Sequence, residues 1–355
     1  MKGVNPADAQ HVLKALVDVW DTAAERMLIV VGRRLARGID EQGWAEQKAR
    51  ETLAVSSELR QIMRQVPTEE TAVGALQEAY KLGEKAAETL GERFIATNPS
   101  KVIRLATLLV QKLRGTFVPV TRAHEDLFAK TIGETELLMQ TGTMHRREAV
   151  ATAVDRLMTD RPGDPAADRF IASDGKRWHL DAYVRMAGRT HAQQLMIEGQ
   201  LDGMVARGRD LGVVSDSVRE CKLCRPWEGK LLSIGGASVG QTVDGLLVVG
   251  TIAEAIAAGL LHPNCTHRFD PYVPGLTRVP EAHANPEGDK QQQTLRRYER
   301  EVRQLKRTLI AVQQLGDTQA ARDLRRKIRV KGQQIAAHVE ATGLNRRRER
   351  ERPVG

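Results

Sequence analysis

All three cysteines of this 355-residue chain lie in two short stretches, CKLCRPWEG at Cys221–Gly229 and HPNCTH at His262–His267. A disulfide scaffold uses an even and larger number of cysteines, so this arrangement does not suit one. Cys221 and Cys224 form a C-x2-C turn, and 40 residues lie between Cys224 and Cys265. Two such turns can supply the ligands of one tetrahedral metal ion.

The spacing predicts a structural zinc site, because thiolate and imidazole ligands in a closed set of four are typical of one. The predicted ligands are Cys221, Cys224, Cys265 and His267, with His262 as an alternative ligand or as a residue that supports the ligands from outside the metal's coordination. The glycine-rich segment between the two stretches can bury little apolar surface, and a metal ion would replace that missing stabilisation. Two alternatives stay open: a redox-active dithiol, and three buried cysteines without a metal.

Basic residues are concentrated at the end of the chain. Residues 290–355 contain 18 Lys and Arg against 7 Asp and Glu, whereas the whole chain has a net charge of +9. This segment predicts a polyanionic or acidic protein partner, although a solvated charged helix would show the same composition. The predicted binding residues are Arg322, Arg325, Arg326, Lys327, Arg329, Arg346, Arg347 and Arg348. Tyr298 is the only aromatic residue there, so readout of individual bases is not expected.

The fold class predicted from periodicity is mainly α, with a helical N-terminal region over residues 1–160. Residues 161–280 are predicted to form a small α+β middle domain clasped by zinc, with strands at Gly212–Val214 and Leu246–Val249. Residues 287–345 carry a heptad pattern that breaks at Gly316 and Asp317. They predict an antiparallel helical hairpin whose outer faces are coated with Arg and Lys. Residues 346–355 are expected to be a disordered basic tail.

Neither a membrane span nor a secretory signal is expected, because no apolar stretch approaches about 20 residues and the N-terminus lacks an apolar core. The pattern therefore indicates a soluble protein made in the cytoplasm. Ser233–Gly240 superficially resembles a phosphate-binding loop, but it lacks the G-x4-G-K-[ST] motif, and a flexible hairpin loop is the expected structure. An enzymatic alternative is a nucleotide-binding transferase, similar to ADP-ribosyltransferases, that uses the middle domain. A cellular zinc-ribbon DNA-binding protein is a third possibility.

Several blocks of the sequence together resemble one family. They are Gly175–Trp178, Tyr183, Arg189 and Thr190, the stretch CKLCRPWEGK, and the stretch GLLHPNCTHRFDPYVPG. They are similar to the phage minor capsid protein 2 family, which is allied to the Mu F-like head morphogenesis proteins. Relatives often end the second motif with C-x-C, where this chain has Cys265 and His267. A zinc ion accepts either ligand.

The resemblance implies a minor structural protein of a tailed-phage or prophage head. Such a protein acts in capsid assembly, near the portal or inside the shell, and it is located in the virion after synthesis in the host cytoplasm. The implied partners are the portal and major capsid proteins and, non-specifically, packaged DNA, with no membrane. The resemblance implies no enzymatic activity.

Overall fold

The computed structural model describes residues 8–86, 98–140, 142, 144–161, 163–217, 222–262, 265, 267–279 and 285–352. Its helices in chain order are α1 (Ala9–Val12), α2 (Lys14–Ala36), α3 (Trp44–Arg64), α4 (Thr68–Ala86), α5 (Pro99–Arg114), α6 (Phe117–Gln140), α7 (Arg146–Leu157), α8 (Leu180–Ala206), α9 (Ile252–Ala257), α10 (Pro286–Gln314) and α11 (Thr318–Thr342). Its strands are β1 (Phe170–Ile171), β2 (Arg177–Trp178), β3 (Leu211–Val214), β4 (Leu231–Ser233), β5 (Thr242–Val243), β6 (Leu246–Thr251) and β7 (Phe269–Pro271). The predicted class, mainly α with a small sheet-containing middle region, is confirmed. Within the described ranges, no helix combines the length and apolar character that a membrane crossing requires.

The chain forms two compact units, each assembled from three separate segments. Unit 1 contains Met1–Leu16, Thr68–Gln111 and Arg185–Gln292, and unit 2 contains Val17–Pro67, Lys112–Val184 and Gln293–Gly355. The predicted domains, in contrast, are consecutive stretches of the chain.

The sheet of unit 1 has the strand order β5-β6-β4-β3-β7. Strands β4 and β6 are parallel, and the other neighbouring pairs are antiparallel. The two predicted strands correspond to β3 and β6, whereas the shorter β4 and β7 were not predicted. Gly212 of β3 lies under the ring of Phe269, and a Cβ atom there would approach the ring to 2.3 Å.

Two helices of unit 1 approach each other closely through glycines. A Cβ atom on Gly83 of α4 would lie 2.1 Å from the carbonyl oxygen of Met196 in α8. A Cβ atom on Gly199 of α8 would lie 2.6 Å from the carbonyl oxygen of Tyr80. The Tyr80 hydroxyl donates a hydrogen bond of 2.9 Å to Asp202 in the same contact. Only glycine permits the two helix backbones to come this close.

Unit 2 is built on helices with large buried side chains. Trp20 and Trp44 are fully buried, and the ring of Trp20 packs edge-on against Phe117 at 5.7 Å between centroids. The Trp44 indole donates a hydrogen bond to the carbonyl oxygen of Leu35. These few aromatic residues anchor the helix contacts, and aliphatic side chains fill the remaining core.

The C-terminal hairpin of unit 2 is confirmed. Helices α10 and α11 are joined by a turn at Gly316, and the Asp317 carboxylate caps α11 by accepting a hydrogen bond from the Ala320 amide. Val302 of α10 and Ile335 of α11 belong to one buried apolar cluster between the helices. The heptad positions therefore face the partner helix, as their period requires.

Not every basic residue of the hairpin lies on the outer faces that the sequence predicts to be coated with Arg and Lys, because Arg307 is buried. Its guanidinium is buried and lies 3.3 Å from a carboxylate oxygen of Asp168 and 3.3 Å from one of Asp181. Burial of Asp168 by itself would raise the pKa of its carboxyl group. The charges of His179, which lies 3.2 Å away, and of Arg307 outweigh burial and hold that pKa well below its usual range. A buried carboxylate is stable only with a positive charge or hydrogen-bond donors beside it, and Arg307 supplies that charge from a buried position.

Candidate metal centre

The sheet of unit 1 brings the two cysteine-containing stretches to the same edge. Cys224 lies in the turn before β4, and Cys265 lies in the turn before β7. Strands β4 and β7 both run antiparallel to β3, so they begin at the same edge of the sheet. The sheet topology therefore places Cys224 and Cys265 together, although 40 residues separate them in the sequence.

Three ligand atoms meet at this edge. The Sγ atoms of Cys224 and Cys265 lie 3.6 Å apart, and a ring nitrogen of His262 joins them, with all three atoms within 4.8 Å of one another. A tetrahedral zinc ion with Zn–S distances of about 2.3 Å would hold two sulfurs about 3.8 Å apart. The observed sulfur separation is close to that value. The cluster could hold a metal ion.

A fourth donor, His267, lies beside the three. Its Nδ1 atom is 3.2 Å from the Sγ atom of Cys265, and its Nε2 atom contacts a carboxylate oxygen of Glu228. Both side chains of the His267–Glu228 pair are almost completely buried. A carboxylate on one ring nitrogen of a histidine orients the other nitrogen toward a metal ion in many metalloproteins. The donor set is therefore chemically suited to zinc.

The surroundings of the cluster are apolar. Cys224 and Cys265 are buried within a cluster that includes Ile252, Leu260 and Phe269. Helix α9, which supplies Ile252, begins with a capping box between Thr251 and Glu254. Buried thiols within an apolar cluster are typical of a structural metal ion, because a catalytic ion keeps a position open to substrate.

The pKa values of Cys224 and His267 are shifted by burial and by the neighbouring residues of the cluster. The hydrogen bond with Cys265 raises the pKa of the Cys224 thiol, burial raises it further, and the two histidines lower it only in part. Burial lowers the pKa of His267, but its contacts with Cys224 and Glu228 outweigh burial and leave that pKa raised. A bound cation reverses the tendency of the thiol to stay protonated, because a coordinating thiol is deprotonated.

The structure thus brings together four of the five residues predicted for the zinc site, namely Cys224, Cys265, His262 and His267. Cys221 lies outside the described residues. Both histidines adjoin the cysteines, so the choice between them stays open. Glu228 was not predicted as part of the site. Its position inside CRPWEG, between a ligand turn and a strand, is the only sequence signal that could have indicated it.

The predicted basic residues fall into two groups. Arg322, Arg325, Arg326, Lys327 and Arg329 lie on α11. The remaining three follow α11, and the guanidinium of Arg346 is held by two hydrogen bonds to Glu351, which raise its pKa. Residues Arg348–Glu351, inside the segment predicted as a disordered tail, form a short 3-10 helix.

The loop Ser233–Gly240 is organised around a carboxylate. Asp210 accepts hydrogen bonds from the hydroxyls of Ser233 and Ser238 and from the amide of Gly235. The hydroxyl of Ser233 accepts a further hydrogen bond from the Gly236 amide. The Asp210 carboxylate accepts the hydrogen bonds that a phosphate would need. The glycines of this loop therefore allow the chain to turn and do not bind phosphate.

The chain is similar to structural proteins of phages. A family model described as phage minor capsid protein 2 matches residues 4–340. A relative from Lactococcus phage LL-H, named structural protein, is 24% identical over 207 residues, which cover 57% of this chain and 54% of the relative. The chain thus spans about half the length of that curated relative. No solved structure matches the chain.

Proposed function

Because the chain belongs to the phage minor capsid protein 2 family, we propose that it acts in head morphogenesis as a low-copy structural component. As a minor capsid protein it is a component of the phage virion. The proposed position is near the portal or inside the shell, where the portal and major capsid proteins would be its partners. The observation that carries this proposal is the family match, which extends over residues 4–340 and so includes segments of both units.

The proposed role is structural and not that of a transferase. The loop Ser233–Gly240 was the feature of the middle region that resembled a nucleotide-binding loop. The Ser233 hydroxyl and the Gly235 amide, which a phosphate would need as donors, instead donate hydrogen bonds to Asp210. An acidic side chain repels phosphate at that place. This arrangement supports a role for the loop in shaping the sheet.

Quantitative mass spectrometry of purified, DNA-filled particles tests the proposed function. We expect the chain at far fewer copies than the major shell protein, and particles made without its gene should include fewer DNA-filled heads. Restoring the gene in trans should restore them. Complete absence of the chain from particles, with normal heads formed without it, would contradict the proposal.

We further propose that Cys224 and Cys265 hold a structural Zn²⁺ together with His262, His267 or both, and with Cys221 as a possible additional ligand outside the described residues. The ion would fasten the turns that precede β4 and β7. It would add to the stability that the buried apolar residues of this region provide, because metal binding energy adds to folding energy. Glu228 would orient His267 by its contact with Nε2.

Metal analysis of the purified protein tests this site. We expect about one zinc per chain, which Cys224→Ser and Cys265→Ser should abolish. Comparing His262→Ala with His267→Ala identifies the histidine ligand, and His11→Ala, at an exposed position, is the matched control. Strong chelation should lower the unfolding temperature of the unmodified protein but not that of Cys224→Ser. Full zinc content in both cysteine variants would rule out the proposed ligands.

A further inference from the structure

Helix α11 presents one face composed of arginines. Arg325 and Arg326 lie three and four residues after Arg322, and Arg329 lies four and three residues after them, so all four share one side of the helix. All four are exposed. The opposite side of α11 is buried through Ala321, Leu324 and Ile335. We call the four residues the arginine face.

The tertiary structure separates this face from the other basic residues of the segment. Lys327 turns to Asp155, with 3.0 Å between its Nζ atom and the carboxylate. On the arginine face, Arg326 pairs with Asp323 at 3.2 Å, and this pair is exposed. In the described part of the chain, Arg322, Arg325 and Arg329 have no ion pair. Their charges are therefore available to a partner.

The chemistry of the face favours a phosphate backbone over a protein surface. Gln319, whose amide also donates a hydrogen bond to Asp323, and Gln333 extend the face at its two ends, and glutamine side chains can bond to phosphate oxygens. The largest exposed apolar side chain of α11 is Val330, at the margin of the face. Protein interfaces are anchored by buried aromatic or large apolar residues, and the described part of this face contains none.

The dimensions also suit duplex DNA. Arg329 lies seven positions after Arg322, which corresponds to about 10 Å along a helix. A duplex carries one negative charge per about 1.7 Å of its axis, so several phosphates lie within reach of this length. Arginine is well suited to this contact, because its planar fork can donate two hydrogen bonds to one phosphate.

We propose that the arginine face of α11 binds the phosphate backbone of double-stranded DNA without sequence preference. The inference rests on the proposed head function only for the source of the DNA, which would be the packaged genome. Four neutralised phosphates predict a slope of about −3.6 for the logarithm of affinity against the logarithm of salt concentration. The affinity should therefore fall about 150-fold between 50 and 200 mM salt.

Fluorescence anisotropy with a labelled duplex of mixed sequence tests the proposal on the full-length protein. The variant Arg322→Gln, Arg325→Gln, Arg326→Gln, Arg329→Gln should lose at least about 30-fold in affinity at low salt, and its salt slope should approach zero. The matched control is Lys81→Gln, Lys85→Gln, Lys112→Gln, Lys130→Gln, which removes the same charge at exposed positions elsewhere. We expect the control to bind within about 3-fold of the unmodified protein. Circular dichroism checks that both variants are folded.

Three outcomes would overturn the inference that the arginine face binds the DNA backbone. Equal losses in the two variants would mean that net charge, and not this face, binds DNA. An affinity difference above 10-fold between two unrelated duplexes would contradict backbone binding. Retained DNA binding with loss of binding to an acidic polypeptide would assign the face to a protein partner. None of these results would affect the particle composition that tests the head function, so the two proposals fail separately.

Discussion

The buried charges around Arg307 provide the sharpest test of how unit 2 holds its C-terminal hairpin. The change Arg307→Met keeps much of the side-chain volume and removes the positive charge. Asp168 and Asp181 would then lie in the core with one cation fewer between them. Both carboxylates are almost fully buried, so water cannot replace the lost interaction.

The loss in free energy of unfolding depends on the contacts that Asp168 and Asp181 keep in Arg307→Met. Removing one partner of a buried ion pair costs about 3–5 kcal/mol. Asp168 keeps its contact with His179, and Asp181 keeps an oxygen 3.4 Å from Arg303. We therefore expect the lower end, about 3 kcal/mol. For a domain of this size, that loss lowers the unfolding temperature by about 6–12 °C.

Thermal and urea unfolding, followed by circular dichroism, measure this change. The matched control is Arg322→Met, the same substitution at an exposed position of the same hairpin, where we expect less than about 0.5 kcal/mol. Adding Asp168→Asn and Asp181→Asn to Arg307→Met should recover part of the loss, because the buried charges are then gone.

A loss below about 1 kcal/mol in Arg307→Met, or no recovery in the triple variant, would refute this reasoning. Either result would mean that apolar packing along α10, and not the charge cluster, fixes the hairpin.

Two further predictions concern single residues. Gly83→Ala should destabilise unit 1 by several kcal/mol, since its Cβ atom would lie 2.1 Å from a backbone oxygen of α8. Gly74→Ala in the same helix has open space around it and should instead stabilise the fold by up to about 1 kcal/mol. Equal urea midpoints for these two variants would contradict the close helix crossing. The carboxyl pKa of Asp168 is depressed in the folded state. The ionised carboxylate therefore contributes to the free energy of unfolding above the unfolded-state pKa of about 3.9, and this contribution is lost progressively as the pH falls below that value. Urea unfolding between pH 5 and 2 should therefore show a shallower acid loss in Asp168→Asn than in the exposed control Asp126→Asn, and parallel curves would argue against this assignment.

Local patterns in the sequence were sufficient for the helical class and for the hairpin. Leu295 and Val302 keep a heptad spacing, and Gly316 and Asp317 interrupt it with a turn and a cap. Such signals depend on neighbours within one or two turns of helix, so they can be read without the fold. The cysteine motifs could be recognised for the same reason, since each is a short turn with its own spacing.

The sequence did not indicate the contacts that join distant segments. Strands β4 and β7 are only three residues long, and their pairing with β3 decides that Cys224 and Cys265 meet. The position of Glu228 beside a ligand turn does not identify His267 as its partner, and nothing near Gly83 indicates that α8 crosses there. These pairings depend on the topology of the sheet and on the crossing of two helices.

Arg307 and the arginine face of α11 illustrate the division between the two sources of information. The sequence by itself determined that the hairpin is helical, antiparallel and rich in positive charge. Only the tertiary structure decided which guanidinium is buried between Asp168 and Asp181 and which four remain exposed on one side of α11. The physical reason is that helical periodicity depends on neighbouring residues, whereas desolvation and charge pairing depend on residues more than 100 positions away in the chain.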